Sequence, residues 1–199
     1  MKKVLFNTLA ASILIATMAA FTLSKQSVLQ VNPDKSNITW TGKKVTGEHT
    51  GNVRIKSGTV QLTDGKISGG NFVIDMTSIT CTDLTNEEYN QKLVGHLKSD
   101  DFFSTQKHPE AKLVISSISP VQQDEYTIKG QLTIKGKTLP VEFPAKVITD
   151  GKTLSGTAKI DVNRTSYDIK YGSGSFFDNL GDKAIDDIFT LNINIIAKI

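Results

Sequence analysis

From Tyr126 to Val147 the chain reads YTIKGQLTIKGKTLPVEFPAKV, and nearly every second residue is apolar. Tyr126, Ile128, Leu132 and Ile134 share one face of the first half, and Leu139, Val141, Phe143, Ala145 and Val147 share one face of the second. Period-two alternation predicts strands with one buried face. Lys135-Gly136-Lys137 between them predicts the tight connection of a hairpin. The same alternation recurs at Ile38, Trp40 and Gly42, at Val53 and Ile55, at Val60 and Leu62, and at Phe72, Ile74 and Met76. It returns at Leu113 and Ile115, from Leu154 to Val162, and from Phe189 to Ala197. Asp64-Gly65 and Asp150-Gly151 fall between alternating runs and predict further turns, because glycine accepts the positive φ such turns need. The fold class is therefore all-β, with about eight strands, the number that closes a small barrel around either side chains or one ligand. No sustained helical alternation separates the strands, so the sheet is expected to be antiparallel. Pro140 and Pro144 share the wet parity of their strand and remove two N–H donors from one side, which predicts an imperfect seam there.

One segment breaks the β pattern. In TNEEYNQKLVGHLKSDDFF, Thr85 with Glu88 three residues on has the form of a capping box, and Tyr89, Leu93 and Leu97 recur every fourth residue. This predicts a short amphipathic helix that plugs the barrel or lines its mouth, followed by Phe102 and Phe103.

The amino terminus changes the picture of location. Met1-Lys2-Lys3 precedes an apolar or small run from Val4 to Leu23 that ends near Ala19-Ala20 and Ser24, the pattern of a secretory signal peptide over residues 1–24. The expected product is an exported, periplasmic or secreted, soluble domain over residues 25–199. The apolar run also approaches the ~20 residues of a membrane anchor. With one cysteine, Cys81, the chain forms no internal disulfide, so packing must stabilise it. A hydrophobic content of 38% is modest, but its regular phasing argues against disorder. The net charge of +3 falls to +1 without Lys2 and Lys3, and no basic cluster suggests nucleic acid.

Four stretches carry a family resemblance: VNPDKSNITWTGKKVTG near the expected mature start, HLKSDDFF from His96, HPEAKLVI from His108 and GQLTIKGKTLPVEF from Gly130. In this order and spacing the chain resembles the YceI-like family of exported lipocalin-like proteins. NRTSYDIKYGSGSFFDNLGDKAIDD, from Asn163 to Asp187, is similar to a longer form of the segment that precedes the last strand. The resemblance implies a lipocalin-like barrel that binds a long-chain isoprenoid lipid or quinone, with transient membrane contact and no cofactor. On that reading the ligand residues are Trp40, Phe72, Ile74, Leu113, Ile128, Leu132 and Phe143 on strand faces. Leu93, Leu97, Phe102, Phe103, Tyr167, Phe176 and Phe177 belong to the helix and connecting segments. About ten buried methylene equivalents at ~0.8 kcal/mol each would give ~8 kcal/mol before losses, roughly micromolar binding.

Catalytic chemistry has no comparable support. Gly172-Ser173-Gly174-Ser175 is not a G-x-S-x-G elbow and lacks the ending of a P-loop, although its amides with Arg164 or Lys170 could meet a phosphate. Asp100 and Asp101 are expected to turn the chain after the helix. His49, His96 and His108 share no metal-ligand spacing, so only a site assembled across strands would use them. His96 and His108 read as polar contacts of loops against the barrel. The competing expectation to a lipid carrier is an interaction module with a filled barrel.

Overall fold

The computed structural model describes residues 24–199, so the expected signal segment lies outside the described residues except for Ser24. Nine strands are described: β1 (Gln26–Val31), β2 (Asn37–Lys44), β3 (Gly47–Thr63), β4 (Lys66–Asp75), β5 (Glu110–Gln122), β6 (Glu125–Ile134), β7 (Lys137–Thr149), β8 (Thr153–Asn163) and β9 (Ile185–Lys198). The helix α1 spans Glu87–Lys98 between β4 and β5. All pairings are antiparallel, in the order β2-β9-β8-β7-β6-β5-β4-β3, and β3 pairs with β2 to close the ring. β1 and β2 occupy one place in it. β1 runs beside Thr59–Thr63 of β3 and the end of β9, whereas β2 runs beside Gly47–Val53 and the earlier part of β9. A 3-10 turn at Pro33–Lys35, capped by the Asn32 side chain, separates the two halves. The result is a closed eight-position antiparallel barrel.

The inward faces follow the alternation read from the sequence, with one informative shift. In β3, Val53 and Ile55 are buried at odd positions, but Val60 and Leu62 are buried at even ones. A bulge between Ile55 and Ser57 switches the parity, because one extra residue turns every later side chain to the other face. β1, with Leu29 and Val31 buried, was not among the expected strands. The turns at Asp64-Gly65 and Lys135-Gly136 have positive φ at both residues, the geometry of a two-residue hairpin that matches strand twist.

The prolines also act as expected. β7 pairs with β6 without a break across Pro140 and Pro144, so the missing donors face β8. On that side pairing runs only from Ala145 to Thr149, and the half of β7 from Lys137 to Pro144 has no partner strand in β8.

The helix differs from expectation at its start. Its cap is Asn86, whose side chain accepts from the Tyr89 amide, not Thr85. Leu97 is buried and Leu93 packs on the core, but Tyr89 is exposed. A four-residue step overshoots one helical turn by ~40°, so Tyr89 is rotated by ~80° from Leu97 and leaves the buried face. Among the described residues no helix is long and apolar enough to cross a membrane.

Candidate binding cavity

The barrel is hollow. Side chains from its strands and α1 surround a cavity of about 370 Å³, more than twice the size of an apolar void that holds benzene. The space arises where inward positions are small: Ala111 on β5, Ala145 on β7, and Gly156 and Ala158 on β8. Ala145 and Ala158 are directly paired, so neither strand supplies bulk at that level. Large side chains surround this gap, among them Trp40, Phe72, Phe143, Leu191 and Ile193.

Most of the expected ligand residues meet at this cavity. Trp40, Phe72, Ile74, Leu113, Ile128, Leu132 and Phe143 line it from the strands, and Leu93, Leu97, Phe102 and Phe103 line it from the helix and its sequel. Three do not. Tyr167 is buried in the 3-10 turn after β8 but is absent from the lining, and Phe176 and Phe177 are half exposed. Their loop is held away from the interior by Ser173, which is fully buried and whose carbonyl accepts from the amides of both phenylalanines. Ile38, Val53, Ile55, Val60, Ile160 and Ile195 also line the cavity and were not singled out, although most were visible in the alternating pattern.

Polar groups reach the lining mainly at one end. Lys43, Lys44 and His49 come from the β2–β3 turn region, and Arg164 and Asp186 flank the β8–β9 connection. This end also carries α1 and a set of exposed apolar side chains: Val45, Tyr89, Tyr171, Phe176, Phe177 and Ile188.

The mouth is built by long-range hydrogen bonds rather than by regular elements. Residues after β4 run along the free side of β3, with the Thr80 amide donating to Asn52 O at 3.0 Å and the Thr82 amide to Thr50 O at 2.9 Å. Gly51 makes this approach possible, since a Cβ there would lie 1.8 Å from Thr80 O. The Trp40 indole donates to the same Thr80 carbonyl at 3.0 Å, which fixes the ring at the cavity wall. Asp83 ends the segment. It accepts from the Thr50 amide at 2.8 Å and from the Cys81 thiol at 3.2 Å, and lies 2.8 Å from His49 Nδ1. Burial pushes the Asp83 carboxyl up, but these bonds outweigh it and hold the group at about 2. Burial raises the Cys81 thiol.

Across the mouth, Arg164 corrects the expectation of a phosphate contact. It is buried, and its guanidinium donates to four main-chain carbonyls: Asp186 at 2.9 Å, Ile169 at 2.9 Å, Tyr171 at 2.8 Å and Ile185 at 2.9 Å. Its remaining reach is toward Asp187 Oδ1 at 3.6 Å, an ionic contact too long for a hydrogen bond, which leaves that oxygen without one. Arg164 therefore folds the β8–β9 connection, with four of its five N–H donors bonded to main-chain carbonyls and its remaining charge directed at Asp187. Lys170 lies over the Phe176 ring, 4.7 Å from its centre.

His96 lies 3.2 Å from Asp101 and stands edge-on to Phe102 and Tyr171, tying the helix end to the β8–β9 connection. Asp100 accepts from Ser104 and from Lys107, so the paired aspartates do turn the chain. His108 packs against Gly136 of the β6–β7 turn.

A closed, hollow barrel of this shape has known counterparts. Residues 29–197 match the YceI-like domain, and the chain belongs to that family. Among curated relatives, Protein YceI of Escherichia coli O157:H7 is 38% identical over 81 residues, 41% of this chain and 38% of that protein. UPF0312 protein plu2095 of Photorhabdus laumondii is 34% identical over 89 residues, 45% of each. The chain thus spans less than half the length of the curated relatives it matches. Among solved structures, BcnA of Burkholderia cenocepacia superposes with a TM-score of 0.61 at 22% identity, covering 84% of this chain and 99% of that one. A polyisoprenoid binding domain from Saccharophagus degradans gives a TM-score of 0.59 at 11% identity, covering 87% and 99%. At these identities the structural likeness is one of fold.

Proposed function

We propose that this protein is a non-catalytic carrier of a long-chain isoprenoid lipid, a polyprenyl chain or isoprenoid quinone, exported to the periplasm. The observation that carries this reading is the apolar cavity of about 370 Å³, within the range of ligand sites, whose polar lining residues lie mainly at one end. Such a site accepts a hydrocarbon tail along its length and leaves a polar head at the mouth near Lys43 and Lys44. The likeness of fold to the Saccharophagus degradans polyisoprenoid binding domain supports the isoprenoid class. A filled barrel acting only through its surface has no comparable support, because the interior is not filled. The exposed Tyr171, Phe176 and Phe177 at the same end would meet a membrane during loading, since paired aromatics are costly to leave in water. Transport or storage then follows from reversible capture.

Trp40 provides the test. It is the sole tryptophan and lines the cavity, so its emission reports entry without a label. Titration with an isoprenoid quinone is expected to quench Trp40 saturably at one molecule per chain, with a polyprenol competing. Quenching that stays linear with quinone concentration, with no saturation and no competition, overturns the proposal.

A further inference from the structure

We propose that His49, Cys81 and Asp83 form a site at the cavity mouth for one zinc-like divalent cation, held by an imidazole nitrogen, a thiolate and a carboxylate oxygen, with a fourth position open to water. Cys81 and Asp83 lie two residues apart, and the docking of their segment, after β4, onto β3 brings them to His49, more than thirty residues earlier in the chain. Their donor atoms all lie within 4.8 Å of one another. His49 Nδ1 is 2.8 Å from Asp83 Oδ2, and Cys81 Sγ is 3.2 Å from Asp83 Oδ1. A cation with bonds of ~2.0–2.3 Å to nitrogen, oxygen and sulfur needs its ligand atoms a little over 3 Å apart, so small side-chain rotations suffice.

Chemistry and charge favour the same occupant. A thiolate, an imidazole and a carboxylate are the ligand types of zinc, and three protein ligands leave one place free. The thiolate and carboxylate together cancel a divalent charge. Binding breaks the Cys81 S–H bond, forms a sulfur–metal bond and releases that proton to solvent. The surroundings already orient the ligands: the Thr50 amide holds Asp83 Oδ1, and the Asn90 side chain donates to the Cys81 carbonyl at 3.0 Å. Cys81 is buried, and as the only cysteine it has no internal disulfide partner to remove it from the site.

The site does not depend on the isoprenoid reading, and cobalt(II) tests it directly. Addition of Co²⁺ to the purified, reduced protein is expected to produce a thiolate-to-cobalt charge-transfer band that saturates at one ion per chain. Zn²⁺ should displace it, and Zn²⁺ should protect Cys81 from a maleimide. Cys81→Ser is expected to abolish the band, and His49→Gln to weaken Co²⁺ binding by at least about tenfold, as even outer-sphere substitutions do at metal sites. His108→Gln, at the β6–β7 turn, should leave the titration unchanged. Absence of the thiolate band in the wild-type protein, unaltered maleimide reactivity in saturating Zn²⁺, or a titration indifferent to His49→Gln each overturns the assignment. The two wild-type readouts decide the matter even if a variant fails to fold.

Discussion

Gly156→Ile separates the role of the cavity from the stability of the barrel. A Cβ at Gly156 would sit 3.6 Å from Leu154 Cδ2 and 3.9 Å from Ile195 Cβ, ordinary contacts that displace nothing, and beyond it lies the cavity. Isoleucine adds four carbons to the wall. If each occupies the place of one ligand carbon, the tail loses about four methylene burials at ~0.8 kcal/mol, or ~3 kcal/mol, and binds roughly 200-fold more weakly. The protein itself should gain. Glycine in a strand costs ~0.5–1 kcal/mol in chain entropy, and isoleucine removes that cost while burying new apolar surface. The assay pairs a Trp40 quenching titration with a thermal melt. Weaker quinone binding with an equal or higher Tm is expected. A rise in Tm with affinity unchanged within about threefold would show that the tail does not use this space, and a marked fall in Tm would show that the space is not there.

Other perturbations test the mouth. Arg164→Met orphans four main-chain carbonyls around the β8–β9 connection and is expected to cost about 3–5 kcal/mol in urea unfolding; a loss under about 1 kcal/mol would contradict the clamp. Arg164→Lys should recover only part of it, since lysine has three donors and no fixed fork. Asp83, held at about 2 in the folded chain against ~3.9 unfolded, contributes stability that is fully present above its unfolded value and is lost as pH falls through the folded one. The shift corresponds to ~3 kcal/mol at most, and partial exposure reduces this to about 1 kcal/mol, so the stability gap between wild type and Asp83→Asn measured in metal-free buffer should narrow from about pH 5 to pH 2. A pH-independent gap would remove Asp83 from acid sensitivity. Replacing Phe176 and Phe177 together by serine should reduce sedimentation with phospholipid vesicles while leaving quinone titration in detergent unchanged; equal vesicle binding would exclude this loop from membrane contact.

The barrel was legible because its physics is local. A strand with one dry face must alternate, and the hairpins at Asp64-Gly65 and Lys135-Gly136 need residues that tolerate positive φ, so both leave marks within a few residues. Even the incomplete β7–β8 seam was written in Pro140 and Pro144. Val53 with Ile55 and Val60 with Leu62 read from the sequence as two separate runs, whereas they belong to one strand, β3, whose bulge between Ile55 and Ser57 changes the parity. The mouth was less legible, since its determinants act across the fold. Nothing near Arg164 in sequence reveals that it will collect the carbonyls of Asp186 and Ile185 as well as those of Ile169 and Tyr171. His49 and Asp83 meet only because Gly51 lets Thr80 approach β3, a contact 29 residues away that no periodicity encodes. Phe176 and Phe177 were expected among the ligand residues, but the fixed turn at Ser173 directs them outward.

The most direct test of the carrier reading is non-denaturing mass spectrometry of the protein isolated from its native compartment, followed by organic extraction. A discrete isoprenoid-sized mass at about one per chain is the predicted result. A protein that emerges empty and takes up neither quinones nor prenyl lipids on incubation would contradict it.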